Sequence, residues 1–287
     1  MIAPAELRAI PCPLCGATES EARFVKHGLR VVRCTQCGLV FTNPQPSPEA
    51  LVRLYNAQAM SPTDYYVQYA DADAASFRPR LALIERYQRP GRLLDVGCGS
   101  GTLLALARER GWQGRGIDVN AASIAHCRAQ GLEAIVGSFP HPAFAGLEFD
   151  AVVLNDVLEH LVDPRAALTE VRRLLAPGGV LFVTTPDVGA VVARLSGRRW
   201  VHLKPSEHLV YFDRRTIARL LGGVGFTIVE CRSMGRVRSL ALVLDRLATY
   251  SRMLSRVVQA VVPARVAGRV TFAIDPGDEM AVLARRT

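Results

Sequence analysis

The sequence has little of what several protein classes require. Nowhere do about 18 apolar residues run together without a charge, so no segment reads as a bilayer span. The first eleven residues lack a basic stretch followed by an apolar one, which gives no sign of an export signal and makes a cytoplasmic protein the expectation. Cysteine is too unevenly placed for a disulfide framework. Of seven, four form two Cys-x-x-Cys pairs near the N-terminus, and Cys98, Cys127 and Cys231 are scattered, a pattern that suits a reducing compartment and one metal site. Acidic residues are short in the last third, where 17 Arg and Lys from Gly189 onward meet 7 Asp and Glu. That excess raises an anionic partner, but a lysine-rich tail and interleaved aromatic residues, the marks of a nucleic-acid platform, are missing. No internal repeat is visible.

What is present is globular, with 49% hydrophobic residues. Three regions separate by texture: a cysteine-bearing module over 1–46, a linker with helical spacing over 47–90, and a long domain over 91–287. Pro44, Pro46 and Pro48 make a stiff extended hinge, after which Ser47 can cap a helix that begins at Pro48. From Gly91 strand-like and helix-like runs alternate. Strands are expected at 92–96, 114–119, 133–136, 149–154, 180–184, 225–231 and 280–283, and helices at 102–110, 121–130, 164–175 and 214–221. This alternation predicts an α/β fold with a parallel sheet covered on both faces.

The strongest local signal is Leu94-Asp95-Val96-Gly97-Cys98-Gly99-Ser100-Gly101, at a strand-to-helix junction. Glycines at alternate positions let the backbone turn sharply and approach a ligand with no Cβ in the way. The nicotinamide fingerprint needs a third glycine where Thr102 stands. Asp95, at the strand end, would repel a pyrophosphate and suits a ligand carrying an ammonium group.

This run resembles the first motif of class I S-adenosylmethionine (SAM) methyltransferases, and later elements follow that family in order: Gly116-Ile117-Asp118-Val119, then Phe149-Asp150 leading into Asn155-Asp156-Val157-Leu158-Glu159-His160, then Ala176-Pro177-Gly178-Gly179. The resemblance covers about Gly91 to the C-terminus. It implies a Rossmann-like, doubly wound, mostly parallel sheet of seven strands, with SAM as cofactor. Asp95, Gly97, Cys98, Gly99 and Gly101 would then shape its cradle, Asp118 and Val119 would meet the ribose, and Asn155 would stand near its methionine end. Where relatives place an aspartate for the adenine amine, this sequence has Gly137-Ser138-Phe139, so Ser138 would bond and Phe139 would stack.

Cys12-Pro13-Leu14-Cys15-Gly16 and Cys34-Thr35-Gln36-Cys37-Gly38 lie 18 residues apart, a spacing that suits a four-thiolate zinc ribbon. Zinc held by Cys12, Cys15, Cys34 and Cys37 has no open position and is structural. A redox pair is the other reading. The run from Cys37 to Pro46 is similar to ribbons that precede small-molecule methyltransferases, sugar-modifying ones among them. Certain ribosomal RNA methyltransferases also carry such a module.

Methyl transfer from a sulfonium needs mainly positioning, but an oxygen acceptor needs a base. His208, in Ser206-Glu207-His208 of a Trp- and His-bearing loop after the fifth strand, and His160 after the fourth are the candidates, with Glu207 beside the first; a packing role is the alternative for each. The stretch 237–262 sets Leu240, Leu244, Leu247, Leu254, Val258 and Val261 on one helical face and Arg238, Arg246, Arg252 and Arg256 on the other, within an insertion of about 236–270. It suits docking on its own domain, self-association, or peripheral contact with an anionic inner membrane face. The expected activity is transfer of a methyl group to oxygen or carbon of a small-molecule, sugar or lipid-linked acceptor. An RNA methyltransferase and a non-catalytic SAM- or partner-binding module are the alternatives.

Overall fold

Strand and helix alternate along the long domain because apolar runs of four to seven residues are punctuated by glycine and by side chains that cap helices. The structure, a computed structural model, describes residues 4–58, 62–240, 243 and 270–287. The N-terminal part carries β1 (Leu7–Arg8), β2 (Ser20–Lys26), β3 (Leu29–Cys34), β4 (Val40–Thr42) and β5 (Gln45–Pro46), followed by α1 (Pro48–Gln58) and α2 (Pro62–Glu85). The Ser47 hydroxyl accepts from the Ala50 backbone N–H at 3.2 Å and caps α1 as its place before Pro48 predicts.

The α/β part runs β6 (Arg92–Val96), α3 (Thr102–Glu109), β7 (Gln113–Asp118), α4 (Ala121–Ala129), β8 (Glu133–Val136), β9 (Phe149–Asn155), α5 (Pro164–Leu174), β10 (Leu175–Pro186), α6 (Val191–Ser196), β11 (Val210–Tyr211), α7 (Arg214–Gly223) and β12 (Phe226–Ser233), then β13 (Arg236–Ser239), β14 (Thr271–Ile274) and β15 (Glu279–Arg286). Asn120, Asp163 and Asp213 cap α4, α5 and α7 through their side-chain oxygens.

Seven strands form the central sheet in the order β12-β15-β10-β9-β6-β7-β8. Neighbours from β10 to β8 are parallel, and β15 runs antiparallel between β10 and β12. The mostly parallel, doubly wound sheet is thus the one the sequence predicts. Its chain order reverses between β6 and β9, so the carboxyl ends of those strands open a crevice there. Its faces are apolar on both sides: Leu93, Leu94, Ala151, Val152, Val153 and Leu154 are all at most 1% exposed.

Two features differ from expectation. Residues 237–239, expected to open an amphipathic helix, are extended instead, and β13 pairs antiparallel with β14 from Arg236↔Ile274 to Ser239↔Thr271. The remainder of that expected helix, residue 240 and residue 243 apart, lies outside the described residues. The second concerns the N-terminal sheet, whose order is β11-β4-β3-β2. Its last strand comes from 210–211 of the α/β part, and ribbon residues Leu14, Val32, Leu39 and Phe41 share one core cluster with Leu158, Leu209 and Phe212.

Candidate active site

At the carboxyl end of β6 the chain must turn into α3 within a few residues. Gly97, Gly99 and Gly101 take φ of +72°, +50° and +83°, a region costly for any residue with a Cβ. A Cβ on Gly97 would stand 2.3 Å from Val157 Cγ2, whereas one on Gly99 would meet no atom within 4 Å. The turn is therefore packed on one side and open at Gly99.

β7 brings Asp118 beside this turn. Its carboxylate accepts from the Gly99 N–H at 2.9 Å and the Asn120 N–H at 2.8 Å, which fixes its orientation while each oxygen keeps capacity for a further donor. A cavity of about 280 Å³ opens there, lined by Gly97, Asp118, Val119, Ser138, Phe139 and His160 among others, with Leu51 and Val52 of α1 forming a wall. Six of the residues singled out in the sequence thus meet in one space. A carboxylate with spare acceptor capacity, an open glycine turn and an aromatic ring suit an adenosine-bearing ligand with ribose hydroxyls.

Other predicted residues stand behind the lining. Asp95 is 2% exposed. Burial, then the charges of Asp118 and Cys127, push its carboxyl well above the usual range. The Cys98 thiol turns inward toward the backbone of Gly116, where a Cβ would stand 2.6 Å from its Sγ.

Asn155 joins a buried ionic network that sequence reasoning missed. Arg80 of α2, 1% exposed, donates to Asn155 Oδ1 and to Glu279 at 2.5 Å and lies 3.5 Å from Asp156 Oδ2. Arg236 closes the network, paired with Asp156 and with Glu279 at 2.6 Å. Burial opposes the charge on Asp156, but Arg236 and Arg80 hold its carboxyl below the usual range. Asp156 also adopts φ +57°, unusual for a non-glycine residue, at the turn leaving β9. The available signal was the pair Arg78-Pro79-Arg80 directly before the apolar run Leu81-Ala82-Leu83-Ile84, with nothing local to single out Arg80.

The candidate base residues converge from two segments. The His160 and His208 rings lie edge to face with centroids 4.7 Å apart, and His202 stacks on His208 at 6.3 Å. His160 Nδ1 lies 3.0 Å from the backbone oxygen of Glu207, so that nitrogen carries the proton and donates. The Glu207 carboxylate pairs with Lys204 at 3.4 Å. Burial pulls His160 down to about 4, against the opposite effects of Glu207 and Asp156, and burial followed by the His160 charge holds His208 well below its ordinary value. Both imidazoles are therefore neutral at pH 7. Glu159, 2% exposed, accepts from Thr185 Oγ1 at 3.0 Å, and burial with the nearby Asp156 charge pushes its carboxyl up to about 8.

The four ribbon cysteines also converge. Cys12 Sγ lies 3.5 Å from Cys37 Sγ and Cys15 Sγ 3.6 Å from Cys34 Sγ. Four sulfurs bonded tetrahedrally to one zinc at about 2.3 Å stand about 3.8 Å apart, so the set fits zinc with little movement.

A family model described as a methyltransferase domain matches residues 66–231, more than half of the chain. The ubiquinone biosynthesis O-methyltransferase of Hahella chejuensis is 38% identical over 109 residues, 35% of this chain and 46% of that enzyme. The enzyme of the same description from Xanthomonas oryzae pv. oryzae is 36% identical over 138 residues, 40% of this chain and 58% of its own length. The chain therefore spans about half the length of these curated relatives. Among solved structures, a SAM-dependent methyltransferase of Thermotoga maritima superimposes with a TM-score of 0.53, at 15% identity, over 83% of this chain and 99% of its own, a likeness of fold.

Proposed function

The chain belongs to the methyltransferase-domain family, and on that premise we propose that it transfers a methyl group from SAM to an oxygen or carbon of a small-molecule, sugar or lipid-linked acceptor. The observation that carries this reading is the cavity whose lining brings together Asp118, Gly97 of the glycine turn, Phe139 and His160. SAM supplies an activated methyl group when bound, so this chain's residues have to bind, orient and exclude water. Asp118 would receive the ribose hydroxyls, Phe139 would cover the adenine, and Gly97 and Gly99 would let the methionine portion approach the backbone.

An oxygen acceptor must lose a proton, and the neutral imidazoles of His160 and His208 are the groups beside the cavity suited to assist that loss. The curated O-methyltransferase relatives favour oxygen among the acceptor atoms. Within the basic last third, Arg214, Arg232, Arg236 and Arg238 each pair with a carboxylate, so these four of its 17 Arg and Lys are not free to meet RNA phosphates. Among the described residues no helix is long and apolar enough to cross a membrane.

The test is to supply the protein with methyl-labelled SAM and cell extract, separate RNA, lipid and small-molecule fractions, and compare label with an Asp118→Ala control. Label in the lipid or small-molecule fraction is expected. Label confined to RNA overturns the acceptor class.

A further inference from the structure

Among the buried acids beside the cavity, Glu159 lacks what its neighbours have. Asp156 and Glu279 each face both Arg80 and Arg236. Among the described residues no arginine or lysine pairs with Glu159; its carboxyl accepts from the Thr185 hydroxyl at 3.0 Å and from its own backbone N–H, and it stands 4.0 Å from the ring of His160. A carboxylate removed from water with no cation beside it is unstable as it stands. His208 shows the complementary defect: it is 6% exposed, and its Nδ1 finds no hydrogen-bond partner. A buried acid with no cation paired to it among the described residues and an imidazole with an unpartnered nitrogen thus share one spot, and ligand atoms of Glu159, His160 and His208 all lie within 4.8 Å of one another.

We propose that Glu159, His160 and His208 form a second metal site, separate from the cysteine ribbon, which binds one divalent transition cation such as Zn²⁺ or Mn²⁺ at the acceptor end of the cavity. A cation bonded at about 2.1 Å holds its ligand atoms about 3 to 4 Å apart, so small side-chain rotations close the set. The donor set is two imidazoles and one carboxylate, which suits these ions and leaves positions open. His160 lines the cavity, so an open position can take an oxygen of the acceptor.

The backbone holds the ligands to a common frame. The Leu209 N–H donates to the Glu159 backbone carbonyl at 2.7 Å, tying the residue after His208 to the turn that bears the other two. Where His160 and His208 help an oxygen acceptor lose its proton, they then do so through the ion they hold. This extension rests on the methyl-transfer reading, but cation binding is measurable without it.

The experiment is a titration with Mn²⁺ of the full chain carrying one equivalent of zinc, followed by electron paramagnetic resonance of the free ion, since a four-thiolate site favours zinc over manganese and takes that equivalent. One Mn²⁺ per chain is expected, and metal analysis after equilibration with zinc should return two zinc ions per chain. Glu159→Gln and His208→Gln should each weaken Mn²⁺ binding by about tenfold or more. A chain that takes up only the ribbon's zinc overturns the proposal whatever the variants do, as does Mn²⁺ binding unchanged in both variants. A bound ion without methyl transfer to any acceptor leaves the site standing and removes the methyl-transfer reading instead.

Discussion

His160 shows how burial decides chemistry at a single residue. Burial holds its imidazole at about 4 in the folded protein, against about 6.5 when unfolded. Between those values the unfolded chain binds the extra proton, so stability of the metal-free protein is lost as pH falls from about 6.5 to about 4 and is fully present above. The effect is of order 2 kcal/mol. Urea unfolding at pH 5 and 7 should show a smaller difference for His160→Asn than for the parent, and superimposable pH dependences would contradict the assignment. The sequence made this histidine visible because it ends a motif. It concealed the neutral state, since the His208 ring and the Glu207 carbonyl that enclose it belong to a segment nearly 50 residues away.

Among elements, β6, β8 and α5 could be read locally, because their apolar spacing, capping residues and flanking glycines lie within a few positions of each other. β13 could not. Leucines and arginines alternate at helical spacing from Val237 on, yet residues 236–239 pair across the intervening 240–270 with Thr271–Ile274, a non-local contact that overrides propensity. The same applies to α2, whose sequence suggests a covering helix and whose Arg80 reaches into the sheet ends. Removing one partner of such a network strands the others, and Arg80→Met should cost about 3–5 kcal/mol in denaturant unfolding. A loss below about 1 kcal/mol would show that Asp156 and Glu279 are satisfied by Arg236 alone.

At the scale of the whole molecule, the cysteine module could be found in the sequence, but its placement could not. Two-residue β11 has no local signature, yet it completes the module's sheet through Val210↔Phe41 and Tyr211↔Val40. Thr42 of the same sheet donates its hydroxyl to the His208 carbonyl at 3.2 Å and its N–H to the Leu209 carbonyl at 2.9 Å. The module thereby braces the loop that carries a candidate active-site histidine. Thr42→Val removes the hydroxyl bond, worth about 1 kcal/mol, and should lower the methyl-transfer rate about fivefold with SAM affinity unchanged. An unchanged rate would reduce the module to a role in folding.

Every role proposed for these residues starts from SAM occupying the cavity beside Asp118. Calorimetric titration of the protein with SAM tests it directly. One site per chain is expected, with affinity reduced at least tenfold in Asp118→Ala, since its carboxylate would accept the ribose hydroxyls. No binding of SAM, or equal affinity in the two proteins with both folded, would contradict it.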